Sequence, residues 1–202
     1  MTTTDPRPMR SDARENREKL LVAAREHFAA GGPDASLEAI ARTAGVGIGT
    51  LYRHFPTREA LIEAVYCNEV DQLCAAAAEL LGEREPADAL AAWMERFVAY
   101  ATTKRGLQGA LKAIAASKSE LPAPAPLPTT RDRLLAAISE LLDAGIAAGQ
   151  IREDVTPEDV LTSMSAVWTI AGDGEQWATQ ALRILRLLID GLRFGALTDR
   201  SA

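Results

Sequence analysis

Apolar side chains recur every three or four residues along most of this chain, and no stretch alternates apolar with polar as a half-buried strand does. Helices are therefore predicted throughout. Leu20, Ala24 and Phe28 share the inward face of a first helix over residues 12–30, with Asp12 and Glu15 placed as a capping pair and Gly31-Gly32-Pro33-Asp34 as the stop. Leu37, Ile40, Ala41 and Ala44 then fall at i, i+3, i+4 and i+7 behind Ser36, whose hydroxyl can accept an unpaired N–H at a helix start. Gly45 follows directly, and a residue without a Cβ enters the left-handed conformation that ends a helix at little steric cost. In the short helix after it, Ile48, Leu51 and Phe55 lie within about 60° of arc and form a packing face, while Gly49, Thr50, Arg53 and His54 point the other way.

Later start and stop signals are equally regular. Thr57 is placed to cap a long helix to about Leu81, ended by Gly82, that joins the first three helices to the rest. Helices over residues 86–104 and 107–116 follow. The alternate prolines of Pro122-Ala123-Pro124-Ala125-Pro126-Leu127-Pro128 forbid a helix and favour an extended connection, either a plain helix-to-helix loop or a lid. Residues 130–148 form the next helix, closed by Gly149. Thr156-Pro157-Glu158-Asp159 combines a cap, a proline at the first helical position and acids in the first turn, and opens a helix to about residue 171. Asp173-Gly174 breaks it, and residues 175–194 form the last. The expectation is an all-α protein of about nine helices.

With 202 residues, 48% of them hydrophobic, the chain can bury a core in one domain and support a smaller second one. The net charge of −6 argues against a polyanion partner only until it is divided. Residues 1–60 carry nine Lys and Arg against eight Asp and Glu, net +1, whereas residues 61–202 carry 13 against 20, net −7. An acidic remainder limits non-specific attraction to DNA without preventing a local contact. The most apolar stretch, residues 155–177, is interrupted by Glu158, Asp159, Asp173 and Glu175, so it falls short of the roughly 18 residues a membrane span needs. Residues 1–11 are polar, with Pro6 and Pro8, unlike a secretory signal, and a cytoplasmic protein is expected. Cys67 and Cys74 stand about 10.5 Å apart by helical rise, too far for a bridge, and read as buried thiols. The two histidines, His27 and His54, belong to no nucleophile elbow, phosphate loop or Cys/His metal spacing, so neither an enzyme, a cofactor nor a metal is expected. Glu79, Glu83 and Glu85 read as a solvated face.

The two short helices around Gly45 have the outline of a helix-turn-helix, one side packed and the other offering groups that a DNA major groove accepts. That outline occurs in many α-proteins. Its filling is more specific: Ile40-Ala41, Ala44-Gly45-Val46, Gly49-Thr50-Leu51-Tyr52, His54-Phe55 and Arg58-Glu59-Ala60-Leu61 stand in an order and spacing that resemble the DNA-binding domain of TetR/AcrR-type bacterial regulators over residues 14–65. Gly47 departs from the pattern, since many relatives carry Ser or another capping side chain there. The resemblance implies a flexible arm over residues 1–11, a DNA-binding domain over 12–56, and a ligand-binding and dimerisation domain over 57–202. It places Gly49 and Thr50 against base edges, with Arg53 and His54 as longer donors. Tyr52 either reaches a phosphate through its hydroxyl or fills the core. Arg42 and Thr43 end the supporting helix near the DNA backbone, and Arg58 stands at a helix N-terminus that also attracts phosphate. Arg7 and Arg10 either enter a minor groove or belong to a solvated tail.

Beyond this domain, Trp93, Phe97 and Tyr100 fall at i, i+4 and i+7 with Met94 beside them, and Leu111, Met164 and Trp168 are candidates to face them. By the resemblance this set lines a small-molecule pocket; filling a core is an equal alternative, because periodicity does not separate a cavity from packing. In the last helix Arg183, Arg186, Asp190 and Arg193 form a polar stripe, and Leu182, Ile184, Leu185, Leu187, Leu188, Ile189 and Leu192 cover most of the remaining circumference, implying two contact faces. The resemblance supplies the second partner, another copy of the chain, with Leu182, Leu185, Leu188, Ile189 and Leu192 in the interface. The expected protein is a homodimeric regulator that binds a palindromic double-stranded operator, most simply a repressor released by a small-molecule effector. The rivals are a helical binding module that keeps the fold without reading DNA, and a helical enzyme, which would need convergent acid and base groups in the pocket.

Overall fold

A computed structural model describes residues 7–118, 129–172 and 174–193; the proline-rich segment over 122–128 and residue 194 lie outside the described residues. The helices are α1 (Arg7–Gly31), α2 (Leu37–Thr43), α3 (Ile48–His54), α4 (Arg58–Glu83), α5 (Pro86–Lys118), α6 (Thr130–Ala147), α7 (Pro157–Met164) and α8 (Gly174–Arg193). Short 3₁₀ segments, Gly32–Asp34 and Ser165–Thr169, follow α1 and α7, and no strand occurs among the described residues. Contacts divide the chain into two compact units: the first holds α1 to α3, α4 as far as Glu69 and α5 from Thr103 onward, and the second holds Val70–Thr102 and the described residues after 128.

The local stop and start chemistry works as the residue types dictate. Ser36 Oγ accepts the Ala39 N–H at 3.2 Å, and Thr57 Oγ1 accepts that of Ala60 at 3.1 Å. Thr156 and Asp159 form a reciprocal capping box ahead of Pro157. Gly45 takes φ +70° at the end of α2, where any other L-residue would be strained.

The structure corrects three expectations about elements and one about the cysteines. Helix α1 begins at Arg7, so Asp12 and Glu15 lie inside it rather than cap it. Glu15 bonds Lys19 one turn on at 2.6 Å, and that hydrogen bond holds its carboxyl below the ordinary value. Residues 1–6 and the side chains of Arg7 and Arg10 lie outside the described residues. The two helices expected over 86–104 and 107–116 are one, α5, which brings the α-helices to eight among the described residues. Gly106 is not a break in α5 but a close approach: a Cβ there would stand 3.3 Å from the Phe28 carbonyl oxygen of α1. Helix α7 stops at Met164 instead of running to 171, because Ser165 Oγ bonds back to the Leu161 carbonyl at 2.8 Å and the Trp177 indole takes the Val167 carbonyl at 3.2 Å. Cys67 is exposed and Cys74 half-buried, so they are not the buried thiols expected; burial raises the Cys74 thiol.

In the first unit, Leu20, Ala24 and Phe28 of α1 pack with Leu37 and Ile40 of α2, Leu51 of α3, Phe55, Leu61 and Val65 of α4, and Leu107 of α5. That core reaches past residue 56, where the sequence placed a domain boundary, because a seven-residue helix pair buries too little by itself. The second unit is built on Trp93, Met94 and Phe97 of α5, Leu141 of α6, and Trp177 and Leu185 of α8, all buried.

Candidate nucleic-acid interface

Two short helices and one glycine position this surface. After the left-handed turn at Gly45, the Val46 N–H bonds back to the Ala41 carbonyl at 3.0 Å, which fixes the direction in which the chain leaves α2. Gly47 caps α3 in extended conformation with no side-chain hydrogen bond, as its missing hydroxyl requires. Its carbonyl accepts the first helical bonds, from Thr50 N–H at 2.8 Å and Leu51 N–H at 3.3 Å. Leu51 is wholly buried and Phe55, just past the helix, is 3% exposed. The Arg17 guanidinium of α1 sits 5.4 Å over the Phe55 ring, a cation–π contact that covers this anchor.

Held by those two residues, α3 turns most of its circumference outward. Gly49 and Arg53 are exposed, Thr50 and His54 half-buried, and Tyr52 is 46% exposed, so the Tyr52 ring is not the core aromatic that was one of its two readings. Ile48 is 37% exposed and does not belong to the packing face assigned to it. At the first helical position it lies 40° from Tyr52 by 100° steps, at the margin of the buried arc, and Leu51 and Phe55 fill that arc without it. At the end of α2, Arg42 is exposed; Thr43 is exposed too, and its hydroxyl lies 2.9 Å from Nε2 of His27. This pairing joins α1 to the end of α2 and is not legible in the sequence, since its partners stand 16 residues apart.

Arg58 has a structural role that its own segment does not announce. Its NH1 donates to the carbonyl oxygens of Pro33 at 2.9 Å and Ala35 at 2.6 Å, so the guanidinium ties the start of α4 to the turn between α1 and α2. These bonds engage NH1 alone of the guanidinium nitrogens, so this strut does not exclude the phosphate contact expected of Arg58. Glu69 was also missed. It is 7% exposed, 3.8 Å from Arg25 NH1, and hydrogen-bonded to Thr103; burial raises its carboxyl despite the neighbouring cation.

The residues expected to line a pocket do not form one set. Trp93, Met94, Phe97, Tyr100 and Met164 are buried and Trp168 is half-buried, all in the second unit, whereas Leu111 packs against the core of the first. The rings pack on one another: Phe97 lies 6.3 Å from Trp93, 5.7 Å from Tyr100 and 6.5 Å, edge-on, from Trp168. The Trp93 indole N–H donates to the Leu73 carbonyl at 2.7 Å, so its polar handle is taken internally. A cleft of about 470 Å³ lies elsewhere in this unit, lined by Glu85, Asp88, Gln150 and Arg193 among others, and its polar groups bond one another across it.

Along α8 the apolar residues divide into two faces, but not as assigned. Trp177, Ala181, Leu185, Ile189 and Leu192 form the inner stripe, and the last three are 3%, 6% and 4% exposed within a single chain. They are therefore removed from the expected dimer interface. Ile184 and Leu188 are half-buried, Leu187 is 73% exposed, and Leu182 is half-buried on the other flank. Arg193 bonds Asp88 of α5 at 2.6 Å, and Arg186 approaches Glu95 of α5 at 4.0 Å. Among the described residues no cluster of three His, Cys, Asp or Glu is placed to hold a metal, and no helix is long and apolar enough to cross a membrane.

Comparison with known proteins agrees with this geometry. Residues 20–65 match the family described as bacterial regulatory proteins, tetR family, and residues 85–194 match a transcriptional regulator SbtR-like C-terminal domain. A solved TetR transcriptional regulator from Streptomyces coelicolor is 47% identical, with a TM-score of 0.77, over 88% of this chain and 98% of that one. A TetR transcription regulatory protein from Mycobacterium vanbaalenii is 34% identical, with a TM-score of 0.71, over 92% of this chain and 99% of that one. The HTH-type transcriptional regulator UidR of Escherichia coli is 38% identical over 68 residues, 33% of this chain; the match spans only 35% of that protein's length.

Proposed function

Because this chain belongs to the TetR family of bacterial regulatory proteins, we propose that it is a cytoplasmic, homodimeric transcriptional regulator whose α3 reads a palindromic operator. The observation that carries this reading is the outward surface of α3: Gly49, Thr50, Tyr52, Arg53 and His54 are exposed or half-exposed on a helix anchored by Leu51 and Phe55 alone among its apolar residues of low exposure. Arg42 at the end of α2 stands where a phosphate contact would set register. Dimerisation is assigned to the outer face of α8, where Ile184, Leu187, Leu188 and Gly191 lie within about 100° of arc.

We assign repression relieved by a small molecule as the mode of control, sensed in residues 57–202. A releasing effector must bind the DNA-incompetent arrangement of the two reading helices better than the competent one; affinity without that difference shifts nothing. The mutual packing of Trp93, Phe97 and Tyr100 supports a core role for these rings and moves any effector contact toward the half-buried Trp168 at their edge.

Fluorescence anisotropy with labelled duplexes over a salt series tests the DNA-binding reading. Arg42→Ala should weaken binding to every sequence and reduce the salt slope by about one counterion per subunit. Thr50→Gln should cost roughly 1–3 kcal/mol on the preferred operator and little on random DNA. A wild-type protein that binds no DNA, or two variants that bind as wild type does, would overturn the reading in favour of a binding module without DNA recognition.

A further inference from the structure

Val22, Ile48, Tyr52 and Leu187 are the large apolar side chains exposed among the described residues, and two of these four stand one turn apart on a single seven-residue helix. Ile48 and Tyr52 are separated by about 40° around the α3 axis and by about 6 Å along it. The space over the two glycines that flank Ile48 is open: a Cβ built on Gly47 or Gly49 would meet nothing within 4 Å beyond its chain neighbours. Around the outward face of α3 the order is therefore an apolar flank of Ile48 and Tyr52, a glycine at the centre, and a polar flank of Arg53 and Thr50.

An exposed isoleucine on a surface that meets only water or phosphate gains nothing there, since the DNA backbone offers it no apolar partner. The major groove offers one kind of apolar group on its base edges, the C5 methyl of thymine. Resting on the proposal that α3 enters the major groove, we propose that Ile48 and Tyr52 are specificity residues that read thymine methyl groups. With about 6 Å between them along the helix, the two side chains reach different base pairs, so each half-site carries two thymines. Gly49 lets the helix backbone come close enough for side chains of these lengths to touch the methyls, while Arg53 and Thr50 hydrogen-bond on the other flank.

Thymine and uracil differ by the methyl alone, which gives a direct test. An operator is first selected from a random duplex pool with the wild-type protein, and each thymine of both half-sites is then replaced by deoxyuridine. At two positions per half-site the replacement should weaken binding about fourfold for each methyl removed, the ratio that matches ~0.8 kcal/mol per buried methyl-sized group. Ile48→Ala should abolish the response at one position and leave the other intact, and Tyr52→Ala should do the converse. Tyr52→Phe should keep the uracil response whatever the hydroxyl does. With Tyr52 46% and Ile48 37% exposed, circular dichroism should show each variant folded and melting only slightly below wild type. An operator that is selected and yet tolerates uracil everywhere, or a uracil response that survives in Ile48→Ala and Tyr52→Ala alike, overturns methyl reading and leaves DNA recognition standing. A pool in which no sequence is enriched overturns both.

Discussion

Helix α8 turns five apolar residues inward, Trp177, Ala181, Leu185, Ile189 and Leu192, and is anchored along most of its length; α3 has Leu51 and the adjoining Phe55 to hold it. Each helix also leaves apolar side chains outside, but in different company. Leu187 on α8 continues an aliphatic surface with Ile184 and Leu188, the kind of area a second protein surface buries. Ile48 and Tyr52 on α3 stand beside glycines and a cation, an arrangement suited to small apolar groups spaced among polar ones. An apolar residue on a helix reports that something covers it, while the chemistry of its neighbours indicates what.

Substitutions on the two helices should separate these roles. Leu185→Glu places a charge at a site 3% exposed and should cost at least about 3 kcal/mol, enough to unfold much of the protein in a thermal or urea melt. Leu187→Glu, at a site 73% exposed, should leave the fold intact and convert dimers to monomers in sedimentation at micromolar concentration. If Leu187→Glu sediments as a dimer, the α8 outer face is not the contact. Arg58→Ala removes two bonds to backbone carbonyls and should destabilise the protein by about 1–3 kcal/mol. An unchanged melt would mean that these bonds add nothing to the fold.

The smallest effect concerns pH. Glu69 has a folded-state carboxyl raised above 4.5, chiefly by burial, so its ionisation works against folding near neutrality and its contribution improves as pH falls through the raised value toward 4.5. Glu69→Gln should therefore melt higher than wild type at neutral pH, with the gap closing on acidification. A gap that widens toward pH 4.5 would mean that attraction to Arg25 outweighs burial.

What could be read from the sequence was local. Ser36, Gly45 and Thr156 act within four residues of themselves, and each caps or ends its helix as its side chain predicts. Leu51 and Phe55 were legible as anchors because helical periodicity places them together. Arg58 was not, since its acceptors lie 25 and 23 residues upstream and nothing in its own segment points to them. The continuity of α5 through Gly106 was not legible, since the close approach of the Phe28 carbonyl lies across the core. The aromatic row and the inner stripe of α8 had the right period, but period does not distinguish a core from a pocket or a monomer contact from a dimer contact. Leu111 is a candidate to face the aromatic row only if it stands on a separate helix, whereas the continuous course of α5 puts it against the first core.

If α3 reads DNA while the outer face of α8 pairs two copies, native mass spectrometry of the protein with duplexes enriched from a random pool should show two chains bound per duplex. The enriched sequences should carry two inverted half-sites whose centres lie about 34–36 Å, or a multiple of that, apart. One chain per duplex on an asymmetric site, or no enrichment over the starting pool, would contradict these assignments.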